Sequence, residues 1–173
     1  MPLLLRFIRK SRWYGHEVHP WLPAGSLQAD ALLDLKTTAN GLSMWQIKDD
    51  KSNLKQVITA HATTRDHVSN SDYAIFDQQL MSEIDVKIKY TMGNTSYENA
   101  NPWHRDLPEL SAEKLMGLAR VIMESADKQR FSEKRVLGLL KEAVVSGDID
   151  LTKLKDGVKT RISGLGLPDM ASP

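Results

Sequence analysis

The 173-residue chain contains no cysteine. Disulfides, thiolate zinc sites, iron–sulfur clusters and cysteine nucleophiles are therefore outside its chemistry. It also lacks a long hydrophobic run. The apolar opening over residues 3–8 is interrupted by Arg6 and followed at once by Arg9, Lys10 and Arg12. A secretory signal has the reverse order, and a membrane span needs about 20 apolar residues. The expectation is a cytoplasmic protein with no membrane partner. Charge of one sign is scarce too: 23 Lys and Arg against 22 Asp and Glu leave a formal net charge of +1. A protein that binds nucleic acid over its whole surface is far more basic, so only a local basic patch fits. No phosphate-cradling GxGxxG or GxxxxGK loop occurs, and no GxSxG nucleophile elbow. No cofactor is expected.

What is present reads as α/β or α+β. Residues 3–9 are apolar on both faces, as in a strand inside a sheet. Gly15, Pro20, Pro23 and Gly25 then make residues 10–25 a long loop. Ser26 is placed to cap a short helix carrying Leu27, Ala31, Leu32 and Leu35. Residues 42–48 read as a second strand, with Asp49 or Asp50 capping a helix that aligns Leu54, Val57, Ile58 and His61 at helical spacing. A third strand is expected at 73–76, which suggests a parallel crossover unit. A brief helix follows over 78–84. Residues 84–90 alternate cleanly between apolar and polar, as an edge strand does. Residues 93–110 read as a loop. Ser111 and Ser132 are placed to cap two amphipathic helices, and a weaker third begins near Asp150. The expected architecture is a three- to four-stranded mixed sheet with flanking helices over 1–110, a helical subdomain of two to three helices over 111–164, and a disordered tail over 165–173.

Three constellations carry chemistry. Asp49, Asp50 and Asp77 follow the second and third strands. On parallel strands they emerge at one carboxyl edge, where open sheets bind ligands, and such carboxylates can hold Mg²⁺ in a phosphohydrolase or nuclease. Their simpler reading is as helix caps. His16, Glu17, His19, His104 and Asp106 are metal-ligand types, but their spacing matches no metal motif. The string HRDL at 104–107 lacks the glycine-rich loop and DFG that accompany it in kinases. The third constellation mixes cations with aromatic rings. Arg9, Lys10, Arg12, Trp13, Tyr14 and Trp21 crowd the first long loop, and Trp103 and Arg105 the second. Trp, Tyr and Arg dominate protein interfaces. The leading expectation is thus a non-catalytic accessory protein that docks onto a larger protein through these residues. Arg6, Arg9, Lys10 and Arg12 could instead grip phosphates. So could a C-terminal helix with Lys153, Lys155, Lys159 and Arg161, in a loose helix-turn-helix arrangement.

Overall fold

The computed structural model of the protein describes residues 2–165. The expected tail, from residue 166 onward, lies outside them. The apolar residues of β1 (Leu3–Phe7) do occupy two faces, because β1 sits inside the sheet with β2 (Leu42–Ile47) on one side and β3 (Ser71–Asp77) on the other. Both neighbours run antiparallel to β1. They are therefore parallel to each other, but β1 separates them. The expected β2–helix–β3 crossover exists as a split unit around α1 (Leu54–Thr63), not as two adjacent parallel strands.

Three further strands complete the sheet: β4 (Lys89–Tyr90), β5 (His104–Leu107) and β6 (Asp127–Phe131). The order is β4-β5-β2-β1-β3-β6, six strands among the described residues, with every pairing antiparallel. The expectation of a three- to four-stranded mixed sheet is corrected on both counts, while the α+β class holds. The alternating stretch 84–90 forms a strand only at its last two residues, at the sheet edge. Its first part turns out of the short helix α2 (Leu80–Glu83), and Val86 there is buried.

Helices cover both faces. On one, Leu5, Trp45, Ile47, Tyr73 and Ile75 pack against Val57 and Ile58 of α1, Leu140 and Val144 of α4 (Glu133–Val145), and Val158 and Ile162 of α5 (Asp156–Ser163). On the other, Leu4, Ile8, Met44, Ala74 and Phe76 meet Leu118, Ala119 and Ile122 of α3 (Ala112–Ser125), with Ala31, Leu35 and Trp13. Both cores thus mix residues from before and after position 110, and β6 pairs with β3. The boundary expected at 110/111 does not divide the core.

Ser111 and Ser132 cap α3 and α4 as expected, each hydroxyl accepting a backbone N–H three residues on. Ser26 does not cap; Ala29–Leu35 is a 3₁₀ helix that begins after Gln28. Asn53, rather than Asp49 or Asp50, begins α1. Its side chain ties down the end of β2, accepting from Lys48 N–H and donating to Gln46 O. Gly157 lets α5 lie close on the loop after α1: a Cβ there would come within 2.2 Å of the Asp66 carbonyl oxygen.

Candidate functional site

The antiparallel register gathers the C-terminal ends of β1, β5 and β6 with the N-terminal ends of β2, β3 and β4 at one end of the sheet. Two 3₁₀ turns, Lys10–Trp13 and Ala29–Leu35, fold over that end. Between them and the sheet opens a cleft of about 480 Å³ lined by Arg6, Arg9, Arg12 and Arg65, with Asp34 as the one carboxylate and Phe7, Trp45 and His61 as rings.

Asp34 organises the cleft. Its carboxylate accepts the Arg9 backbone N–H at 2.7 Å, Arg12 Nη1 at 2.8 Å and the Trp13 indole N–H at 2.9 Å. Its main-chain oxygen accepts Arg6 Nε at 2.9 Å and Nη2 at 2.6 Å, while Arg6 Nη1 reaches Ser43 O. Arg6 is thus an inward-facing strand residue satisfied by carbonyl dipoles. Burial lowers its pKa to about 10, partly offset by Asp34, so it stays charged at neutral pH. Arg65 donates to Ser69 Oγ and Asn70 O; burial lowers its pKa, partly offset by the Asp72 carboxylate. Arg9 is exposed, and its side chain has no hydrogen-bond partner among the described residues.

His61 lies flat on Phe7, ring centroids 3.5 Å apart and planes 11° from parallel. Burial, then Arg65 and Arg6, push its pKa down to about 3. It is therefore neutral at physiological pH. No group among the described residues hydrogen-bonds to its ring, so nothing orients it as a general base.

The cleft continues on both sides. Arg6 and Ser43 also line a second hollow with Lys36, Lys89 and Asp106. Ile8, Arg9 and Arg65 also line a third, with Arg130 and Asp72. Asp72 is buried on β3. It accepts two bonds from Arg130, at 2.6 and 2.9 Å, and one from the Lys10 N–H. Burial works to raise its pKa, but these donors outweigh it and hold the carboxyl below its ordinary value.

The aromatic docking set is divided. Trp13 is 2% exposed and belongs to the core. Tyr14 is half-buried, its carbonyl taken by Gln28. Trp21 is 70% exposed, its ring centroid 6.0 Å from that of His19, and Val18 on the same loop is also exposed. Trp103 lies under Lys48. Arg105 is turned inward to Gln46 Oε1 and two carbonyls and stacks on Tyr90.

The carboxylates at the opposite sheet end do not converge. Leu3 pairs with Ile47 on one side and Asp77 on the other, so a whole strand separates Asp77 from the turn bearing Asp49 and Asp50. Asp50 accepts the Ser52 N–H and Asp77 the Gln79 N–H, each closing a turn. His16 Nδ1 is spent on Leu22 O, and His104 Nδ1 on the Thr91 hydroxyl. Among the described residues no three such side chains are grouped to hold a metal ion. The C-terminal cations are paired: Lys153 with Glu98, Lys155 with Asp66, Lys159 with Asp156 and Arg161 with Glu133.

Comparison of the chain with protein-family models, curated proteins and solved structures finds no match. Among the described residues no helix is long and apolar enough to cross a membrane.

Proposed function

We propose that the protein is a binding protein without chemistry of its own, and that the cleft over the end of β1 takes a phosphate-bearing ligand. One observation carries this reading: four arginines line a single cleft with one carboxylate, in a chain whose net charge is only +1. Guanidinium groups match phosphate oxygens in geometry as well as charge. Arg6 and Arg12 are fixed in place by their bonds to Asp34 and Ser43, so little side-chain entropy is lost on binding. Ordered guanidinium groups, with no oriented base or metal-ligand cluster among the described residues, suit capture rather than turnover.

Titration calorimetry with inorganic tripolyphosphate at low salt tests the reading. Binding is expected, weakening as salt rises. Arg9→Glu and Arg65→Gln are each expected to lower affinity about tenfold, the loss of one charge-assisted hydrogen bond of about 1.5 kcal/mol. Absence of binding by the wild type, or undiminished binding by both variants, would sink it.

A second reading is favoured by Trp21 and Val18, 70% and 49% exposed on the same loop. A large ring held out in solvent suits a protein-docking anchor. A photo-crosslinking residue at position 21 should then give one discrete adduct in cells, and the same residue at exposed Val145 should not. Indistinguishable patterns from the two positions would remove Trp21 as an anchor.

A further inference from the structure

We infer that the occupant of the cleft is a single-stranded nucleic acid lying across the whole sheet end, an inference that rests on the phosphate-binding reading and sharpens it. The three hollows are one groove, because each outer one shares wall residues with the central one. Its residues come from all six strand ends in spatial order. Arg130 sits at the end of β6, Asp72 at the start of β3, and Phe7 at the end of β1. Ser43 sits at the start of β2, Asp106 near the end of β5, and Lys89 on β4. Five strand spacings make it about 24 Å long. That is far beyond the reach of one phosphate cluster and fits about four nucleotides, the lower end of single-strand site sizes.

Charge follows the same line. Over its length the groove presents seven arginines and lysines against three aspartates. The aspartates do not cancel them evenly. Asp34 is held by Arg12 and Asp72 by Arg130, while Arg9, Lys36 and Lys89 have no carboxylate partner among the described residues. The four cations between residues 153 and 161, by contrast, each face a carboxylate. The groove thus carries three cations free of a carboxylate along its length, where a backbone with a regular series of phosphates can meet them.

Rings supply what a strip of cations alone lacks. Phe7, stacked on His61, lines the central section with Trp45. Aromatic faces between phosphate-binding cations are how single strands are held without sequence preference. Among the described residues the groove is lined by strand ends and turns, with only His61 drawn from an α-helix, so it offers no helix face to the major groove of a duplex.

Fluorescence anisotropy with labelled oligothymidylates of two, four and eight nucleotides, in competition with tripolyphosphate and with an oligoglutamate of equal charge, tests the inference. Affinity is expected to rise steeply from two to four nucleotides and to change little per site beyond that. Lys36→Glu and Lys89→Glu, both at exposed positions, are each expected to weaken tetranucleotide binding by about fivefold to tenfold. That loss should exceed any loss for tripolyphosphate. If tripolyphosphate competes as well as the tetranucleotide and both variants weaken the two ligands equally, the site is a small-anion pocket. The phosphate-binding reading then survives and this inference does not. If oligoglutamate competes equally well, the partner is an acidic peptide and the inference again fails. If neither oligonucleotide nor tripolyphosphate binds, both readings fall together.

Discussion

Asp34→Ala is expected to lower the unfolding free energy by about 3–4 kcal/mol, within the range for removing one partner of a buried ionic network. The Asp34 side chain is only 10% exposed and takes donors from three residues. Its loss strands the indole N–H of Trp13, itself 2% exposed, where water cannot replace the bond. It also leaves Arg12 without its counter-charge beside Arg6. Asp34→Asn separates charge from shape. Asparagine is nearly isosteric but sets an NH₂ group in place of one oxygen, facing either Arg12 Nη1 or the Arg9 and Trp13 N–H groups, and it carries no charge, so it should lose more than half as much stability as alanine does. Urea unfolding at constant m-value is the measurement. An asparagine variant within about 0.5 kcal/mol of wild type, inside the ordinary scatter of surface substitutions, would show that the carboxylate does not hold the two turns together. Where the variant remains folded, the cleft has lost its one negative charge. Tripolyphosphate should then bind more tightly, opposite in sign to the effect of Arg9→Glu.

The pieces of this fold legible in the sequence are those whose burial leaves a period. β1, β2 and β3 are central and apolar, and α1, α3 and α4 carry apolar stripes. Ser111 and Ser132 mark two helix starts by a local rule, a hydroxyl accepting a backbone N–H in the first turn. β5 and β6 were not legible, because HRDL and DKQRF each bury a single apolar residue, Leu107 and Phe131. Their identity as strands depends on partners far along the chain, Leu42 for one and Ser71 for the other. Because β6 leaves no apolar period, 111–164 reads in the sequence as a helical unit, although β6 pairs with β3.

The candidate site divides in the same way. Arg9 and Arg12 belong to the cation-rich stretch that stands out in the sequence, whereas Arg65, Asp34 and His61 lie 22 or more residues from Arg12 and enter only through folding. Trp13 and Trp21 lie eight residues apart in one loop broken by glycine and proline, yet one is core and the other solvent-exposed. What separates them is Asp34, which gives the Trp13 indole a buried acceptor. No pattern within the loop itself encodes that.

His61 gives the cleft an acid limit. The folded imidazole, held to about 3, lies well below its unfolded value of about 6.5. As pH falls below about 6.5 the unfolded chain takes up a proton that the folded chain refuses. The contribution is therefore fully present above that pH and is lost progressively as pH falls towards 3. At about 1.4 kcal/mol per pH unit, the loss between pH 6.5 and 4.5 is at most about 2–3 kcal/mol. The upper figure assumes that the ring keeps no water, and His61 is only half-buried as a whole residue. His61→Phe keeps a flat ring against Phe7 and removes the titration. Its stability should fall less steeply than that of wild type over this interval, although the depressed carboxyl of Asp72 adds an acid loss common to both proteins. The difference between the two pH curves isolates the imidazole. Parallel curves from pH 7 to 4.5 would mean that His61 titrates normally, and so that the arginine-lined cleft is wet enough to admit its proton.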